Sequence, residues 1–429
     1  MAVAGRRYRE PAGPRRPRRR TTTHDEKGAS DVTDEDERRM RPASPTTDGE
    51  VADAVIAELV RGWRAAPGPS ARQVGVEAVR AAQRQRSEAR PPGPEMWRVT
   101  DLVVPADPPV PVRLYRPTAS PSALLVFVHG GGWTIGDLTS HDALCRTLAR
   151  DADVAVLAVD HRRAPEHPWP AAVDDAVAVM RWAFARATDL VGTDVVAVGG
   201  DSSGGDLAAL ACLRLREAGD RTPAGQVLLY PNTDLTFSLP SVREKATGWG
   251  LDADDALWFA EQWVPDPARR SDPRVSPLLE PDLTGLPPAV VVTAEHDPLR
   301  DEGEAYATRL AEAGVPVRAR RERGLVHGFL GFAPVSPAAA EAARRLAADV
   351  HALLTPDPTP QEDERERSAR RGAEHEAEHV RRARGAVADG ELPHRASERG
   401  RPGEHPDDGA RPEQGNPHQA GRDEHRGGA

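Results

Sequence analysis

The chain has 429 residues, a formal net charge of −10 at pH 7, and low contents of hydrophobic (38%) and aromatic (4%) residues. This length fits one large domain or two ordinary ones, and the lean composition indicates a globular core diluted by disordered segments. Two cysteines exclude a disulfide scaffold and a cysteine-based zinc cluster. No apolar run approaches the roughly 20 residues of a membrane span, and no apolar core of a secretory signal stands near the start. We therefore expect a cytoplasmic protein without a membrane span.

Composition divides the chain into three segments. Residues 1–47 form an arginine-rich leader in which Tyr8 is the one aromatic side chain among the arginines. A nucleic-acid-binding arm is one interpretation, but this pattern favours a disordered leader or a start codon placed too far upstream. Residues 357–429 contain no Phe, Trp, Tyr, Ile or Met, so they cannot bury enough apolar surface to fold and are predicted to be a disordered charged tail. The remaining segment, 48–356, is acidic, which argues against a nucleic-acid partner.

The middle segment alternates between strand and helix patterns. Helices are predicted, in chain order, at 51–64, 71–85, 141–150, 170–187, 206–218, 253–262, 301–313 and 337–354. Strands are predicted at 97–104, 110–115, 124–129, 154–160, 194–199, 226–230, 290–293 and 315–320. This alternation predicts an α/β fold with a mostly parallel sheet. The stretch 235–277 interrupts the alternation and is interpreted as an insertion that lies over the sheet.

A candidate nucleophile lies between the fifth predicted strand and the helix that follows it. The run Gly200-Asp201-Ser202-Ser203-Gly204 fits the G-x-S-x-G pattern of a strand–turn–helix that presents a serine above the sheet. Small residues at both ends of the pattern permit the close backbone approach that this strained turn needs. A phosphate-binding turn is the alternative. Ser202 is favoured over Ser203, whose flanking residues do not match the spacing.

A second glycine run follows a buried strand about 70 residues earlier. The residues His129-Gly130-Gly131-Gly132-Trp133 match the HGGG pattern of lipases and esterases. Stabilising a tetrahedral oxyanion requires backbone N–H groups aimed at one point, and glycine lets the chain approach that point closely. The amide of the residue after the nucleophile, here Ser203, supplies the other half of such an oxyanion hole.

A serine nucleophile needs a histidine base and an acid that orients it. Three histidines follow Ser202 in the middle segment: His296, His327 and His351. His351 lies within a predicted helix, whereas His327 follows a strand at the sheet edge where α/β active sites form. Asp297 ends another strand, either as the orienting acid or as the cap of the next helix. The chain order Ser202, Asp297, His327 is the order found in α/β-hydrolases.

These motifs together resemble the hormone-sensitive-lipase-like esterases, a group of α/β-hydrolases. The resemblance covers about residues 50–355, and the matching stretches are His129–Trp133, Asp160–Pro170, Gly200–Ala209, Asp297–Tyr306 and His327–Phe329. It implies the α/β-hydrolase fold, with a mostly parallel central sheet flanked by helices. It also implies a helical cap, here built from about 48–90 and 235–277.

The resemblance also implies roles for individual residues. Ser202 is implied as nucleophile, His327 as base and Asp297 as orienting acid. The amides of Gly131, Gly132 and Ser203 are implied as the oxyanion hole, and Gly130 is left open as a further donor. Family members use no cofactor and hydrolyse short- to medium-chain acyl esters. Aromatic side chains expected to form walls of the substrate pocket, or else to pack within the cap, are Trp133, Trp249, Trp258 and Phe259.

Some positions depart from the family pattern. His161 stands where tyrosine is usual, and it is interpreted as a structural replacement, with a second titrating group as the alternative. Arg163 stands where leucine is usual. Arg162 and Glu166 are expected to form a structural ion pair.

The sequence thus predicts a serine carboxylesterase that acts on a small-molecule ester without a cofactor, a metal or a nucleic acid. The alternatives are an amidase or deacetylase with the same residues and a non-catalytic binding protein on the same fold. A homodimer formed through an exposed edge strand is a further expectation.

Overall fold

The computed structural model describes residues 51–355, so the predicted leader and charged tail lie outside the described residues. An eight-stranded sheet runs through this part of the chain. Its strands are β1 (Arg98–Val104), β2 (Val110–Arg116), β3 (Leu124–Val128), β4 (Ala155–Val159), β5 (Val196–Asp201), β6 (Gln226–Leu229), β7 (Ala289–His296) and β8 (Val317–Val326).

The strand order in the sheet is β1-β2-β4-β3-β5-β6-β7-β8. β1 and β2 form an antiparallel hairpin, β2 pairs antiparallel with β4, and all remaining pairs are parallel. The predicted α/β-hydrolase fold, with its mostly parallel sheet, is confirmed. Parallel strands end at a common edge, so the loops after β3, β5, β7 and β8 meet there.

Helices lie along both faces of the sheet. They are α1 (Ala54–Ala65), α2 (Ala71–Glu88), α3 (Asp142–Ala152), α4 (Ala171–Val191), α5 (Ser203–Glu217), α6 (Pro240–Glu244), α7 (Ala253–Trp263), α8 (Arg300–Glu312) and α9 (Pro337–Leu354). Alternate side chains of β3 pack into two separate hydrophobic cores, because successive side chains of a strand point to opposite faces. Val126 belongs to the core under α4 and α5, and Phe127 to the core under α3 and α9.

The last strand is longer than predicted. The sequence pattern predicts an end at 320, because charged residues dominate from there, whereas β8 continues to Val326. An edge strand tolerates exposed charged side chains, and Leu325 and Val326 at its end are buried. The extension places His327 directly after the strand.

The N-terminal helices contact the stretch 235–277. The amide of Ala71 donates to Asp255 at 2.7 Å, and Arg72 forms an ion pair with Glu261 at 2.7 Å. Both carboxylates belong to α7, so α2 and α7 are held together by charged and capping contacts. No helix within residues 51–355 is long and apolar enough to cross a membrane.

Candidate active site

The candidate nucleophile lies at a sharp turn between β5 and α5. Ser202 adopts φ 55° and ψ −123°, a conformation that costs energy for any residue with a side chain. Its amide donates to the Leu229 carbonyl at 2.8 Å, and its own carbonyl accepts from the Gly205 amide at 2.9 Å. A Cβ atom at Gly200 would collide with the Gly204 carbonyl. The glycines of the motif therefore allow the backbone packing that presents Ser202.

Three side chains from the loops after β5, β7 and β8 form a hydrogen-bonded chain at the sheet edge. The Ser202 hydroxyl lies 3.0 Å from His327 Nε2, and His327 Nδ1 lies 2.7 Å from Asp297 Oδ2. Asp297 is fully buried, and its other oxygen accepts from the Leu299 amide at 2.8 Å. A carboxylate at Nδ1 favours the tautomer with its proton there, which leaves Nε2 free to accept the serine proton.

The glycine-rich loop after β3 lies beside Ser202. The Gly130 amide donates to Asp201 Oδ1 at 2.9 Å, so this donor is already committed within the protein. Among the hydrogen bonds of residues 51–355, none is donated by the amides of Gly131, Gly132 or Ser203. These three amides are thus available to an oxyanion.

Asp201 links the nucleophile turn to this loop. His141 Nε2 lies 3.2 Å from the same Asp201 oxygen that accepts from Gly130. Burial alone would raise the pKa of Asp201, but the charge and hydrogen bond of His141 and the Gly130 amide outweigh it and lower that pKa. Asp201 therefore stays ionised and holds the loop to the strand that carries Ser202.

A cavity of about 240 Å³ opens over Ser202 and His327. Its walls include the glycine-rich loop, Arg90 beyond the end of α2, and Leu251 and Phe259 from the stretch 235–277. The site is therefore covered by residues of the two segments that the sequence analysis assigned to a cap. Among the described residues, no group of three or more His, Cys, Asp or Glu side chains is placed to hold a metal ion.

Comparisons with known proteins agree with this geometry. A family model described as the alpha/beta hydrolase fold matches residues 125–331. The carboxylic ester hydrolase LipN of Mycobacterium tuberculosis is 46% identical over 290 residues, which cover 65% of this chain and 77% of LipN. The chain belongs to the hormone-sensitive-lipase-like esterases of the α/β-hydrolase family.

Further relatives of this esterase carry the same kind of name. The carboxylesterase NlhH of M. tuberculosis is 42% identical over 288 residues, covering 65% of this chain and 90% of NlhH. A solved esterase from Pyrobaculum calidifontis superposes with a TM-score of 0.64 at 36% identity, covering 70% of this chain and 98% of the other. This chain is a carboxylic ester hydrolase.

Of the two tryptophans predicted to line the substrate pocket of this esterase, Trp133 borders the cavity and Trp258 does not. The Trp133 ring is 1% exposed, stacks on Trp263 with 4.5 Å between ring centres, and donates from Nε1 to Asp206. Trp133 borders the cavity, but its ring packs in the core. Trp258 is buried and does not line the cavity, whereas its neighbour Phe259 does. One residue along a helix turns the side chain by about 100°, and the sequence could not fix which of the two faces the site.

Three other histidines that the sequence analysis considered make structural contacts. His296 is buried and stacks on Trp249 with 3.9 Å between ring centres. His351 Nδ1 lies 3.0 Å from the Ala152 carbonyl, on α3. His161 stacks on His129 at 4.2 Å, and burial lowers the pKa of both rings, which favours the structural interpretation of His161.

The expected ion pair between Arg162 and Glu166 does not form. Arg162 instead binds Asp175 on α4, with Nη2 and Oδ1 2.8 Å apart, and Glu166 binds Arg80 on α2 at 2.6 Å. Both partners come from other elements, so spacing within one motif could not identify them.

Sequence reasoning missed Tyr230, which follows β6. Its ring packs edge-on against His327, with 5.0 Å between ring centres, and against Phe329 at 5.3 Å. Its burial, together with the negative charges of Asp201 and Asp297, raises its pKa well above the ordinary range. The sequence feature that could have indicated Tyr230 was its position directly after a buried strand, at the sheet edge where Ser202 and His327 lie.

Proposed function

We propose that this esterase hydrolyses short- to medium-chain acyl esters through an acyl-enzyme intermediate on Ser202. The observation that carries the proposal is the continuous contact from Ser202 through His327 to Asp297. This arrangement supplies a nucleophile, its base and the acid that orients the base.

In the first step, Ser202 Oγ attacks the ester carbonyl carbon while His327 Nε2 takes the hydroxyl proton. Asp297 stabilises the imidazolium that forms. The negative charge that develops on the carbonyl oxygen is stabilised by the amides of Gly131, Gly132 and Ser203, each worth about 3 kcal/mol in the transition state. Within the described part of the chain these amides have no protein acceptor, which supports that role.

In the second step, the tetrahedral intermediate collapses and the alcohol leaves with the proton from His327. Water then attacks the acyl group on Ser202, with His327 again taking a proton and Gly131, Gly132 and Ser203 again facing the oxyanion. The carboxylic acid leaves and the serine hydroxyl is restored.

The proposed chain-length range rests on the size of the cavity over Ser202. Its volume of about 240 Å³ lies below the range of roughly 300–1,000 Å³ typical of small-molecule sites. We propose that α1, α2 and 235–277 form the cap that sets this size, with Phe259 as one wall.

The test is hydrolysis of p-nitrophenyl esters from acetyl to dodecanoyl, with Ser202→Ala measured alongside. We expect kcat/KM to peak at short acyl chains and to vanish in the variant. Uniform inactivity of folded enzyme on these esters, together with hydrolysis of the matching anilides, would instead assign an amidase.

We also propose a homodimer formed through β1, which is an edge strand of the sheet. It exposes Val99 and Val103, and Trp97 beside them is half-exposed. Unpaired edges with apolar side chains favour association with a second copy. Light scattering should give twice the chain mass, and Val103→Lys should give a monomer. The cytoplasmic location stays a prediction that cell fractionation can test.

A further inference from the structure

A second cavity adjoins the one over Ser202. Its volume is about 620 Å³, and the two cavities share Arg90, Leu144 and Gly331 as lining residues. Its walls are largely apolar, with Leu330, Pro334 and several alanines contributed by the segment after His327 and by α9. The two cavities therefore meet at these three residues, and a chain longer than the first cavity holds would enter an apolar space there.

The charged residues of this second cavity are mostly basic, although the whole chain carries a net charge of −10. They are four arginines and one carboxylate: Arg86, Arg90, Arg150, Arg344 and Asp151. Arg150 is paired with Asp151 at 2.6 Å, and Arg344 is paired with Glu341.

The other two arginines have no such partner. Among residues 51–355, no carboxylate lies within ion-pair distance of Arg86 or Arg90. Arg86 Nη2 donates one long hydrogen bond, to the Gln83 side-chain oxygen at 3.3 Å. Both arginines are exposed at this cavity, and the partial desolvation of Arg86 together with the charge of Arg90 lowers the pKa of Arg86. The two guanidinium groups therefore repel each other.

Arg90 is held at the boundary between the two cavities. Its Nη1 donates to the Ser140 carbonyl at 2.9 Å. Its Nη2 lies over Gly331, where a Cβ atom would be only 3.4 Å away. The guanidinium of Arg90 is held by the backbone, and its remaining N–H groups are available to a ligand in the cavity. Their planar arrangement is the one that pairs with a carboxylate.

We propose that this esterase is selective for esters that carry a carboxylate at the end of an apolar spacer. The spacer lies in the second cavity, and the anion binds between Arg86 and Arg90, which relieves their mutual repulsion. This inference rests on the proposed function, because it takes Ser202 as the point of attack.

The test compares kcat/KM for anionic esters with kcat/KM for neutral esters of the same length. One series varies the acyl arm, using mono-p-nitrophenyl esters of dicarboxylic acids against p-nitrophenyl alkanoates. The other varies the alcohol arm, using acetates of ω-hydroxy acids against acetates of alkanols. We expect the anionic-to-neutral ratio to exceed one in at least one series and to fall about tenfold in the double variant Arg86→Gln/Arg90→Gln.

Arg84→Gln is the matched control, because it removes an arginine from the same helix that lines neither of these two cavities. This variant should keep the wild-type ratio. A readout independent of folding is the salt dependence of the wild-type ratio, which should fall between low and high ionic strength. Ratios of one or less in both series, or ratios unchanged in a folded double variant, would overturn the proposal.

Failure of the proposed function gives a different result. In that case the wild-type enzyme would not hydrolyse the neutral esters, or Ser202→Ala would still hydrolyse them. Failure of the further inference alone would be a wild-type enzyme that hydrolyses the neutral esters through Ser202 and shows no anionic preference.

Discussion

The carboxylate of Asp201 accepts a hydrogen bond from the amide of Gly130 at 2.9 Å, which joins the residue before the nucleophile to the glycine-rich loop. Through this bond the strand that presents Ser202 also sets the position of the proposed oxyanion donors. A second bond, from the Trp133 amide to the Ser203 hydroxyl at 3.2 Å, also holds the loop to the nucleophile turn.

Replacing Asp201 with Ala should lower kcat about 100-fold with little change in KM, because a misplaced donor loses its transition-state stabilisation. Asp201→Asn keeps an oxygen that accepts from Gly130, so it should retain most of the activity. Steady-state kinetics on a short-chain ester, with circular dichroism as the folding control, measure both variants. Full activity of a folded Asp201→Ala enzyme would contradict this role.

Phe259, which faces the cavity, should control chain-length preference. A Cβ atom at Gly132 would collide with its ring, so Phe259 packs directly over the glycine-rich loop. Phe259→Ala enlarges the cavity and should move the kcat/KM optimum to longer acyl chains. Trp258→Ala, on the same helix but outside the cavity, should lower the Tm without moving the optimum. An optimum shifted by Trp258→Ala alone would reverse the assignment.

Asp206 is a fully buried carboxyl group. This burial raises its pKa well above the ordinary value. Its Oδ2 accepts from Trp133 Nε1 at 3.2 Å, and its Oδ1 has no hydrogen-bond partner among the described residues. Burial therefore favours the neutral form in the folded state, whereas in the unfolded state the group ionises near its ordinary pKa. Because the unfolded state binds fewer protons, stability should fall as pH rises above about 4.

Asp206→Asn removes this titration while keeping the shape of the side chain. We expect the variant to be more stable than wild type at pH 8, by roughly 1–3 kcal/mol, and the difference to disappear near pH 4. Urea unfolding at both pH values measures it. A stability difference that does not change with pH would show that Asp206 is ionised in the folded protein.

The ion pair between Glu166 and Arg80 should make the free energy of unfolding depend on pH in the acid range. The hydrogen bond with Arg80 lowers the pKa of Glu166 from 4.5 to about 2. The stabilisation that the Glu166–Arg80 ion pair contributes is therefore complete above about pH 4.5 and is lost as pH falls toward 2. The pair is partly exposed, so we expect Glu166→Gln to cost only about 0.5–1 kcal/mol at pH 7 and nothing near pH 2. An equal cost at both pH values would contradict the charge-based explanation.

The fold could be predicted because its signals are local. Each strand and helix has its own apolar period, and the α/β-hydrolase order of Ser202, Asp297 and His327 follows from three short motifs. The end of β8 was predicted too early. The charged residues of this edge strand lack the apolar pattern of a strand, although the strand continues to Val326.

Contacts between distant elements could not be predicted. Arg162 binds Asp175 and Glu166 binds Arg80, although Arg162 and Glu166 share one motif. The position of Tyr230 beside His327 likewise depends on how two loops meet, and one sequence contains no signal for that distance.

The most direct measurement is the site of covalent labelling by an alkyl p-nitrophenyl phosphonate, which traps an activated serine. Peptide mass spectrometry should find one adduct per chain, on Ser202, and the adduct should be absent in Ser202→Ala. The neighbouring variant Ser203→Ala should still be labelled. An adduct on Ser203, or labelling that survives Ser202→Ala, would contradict the assignment of the nucleophile and the mechanism built on it.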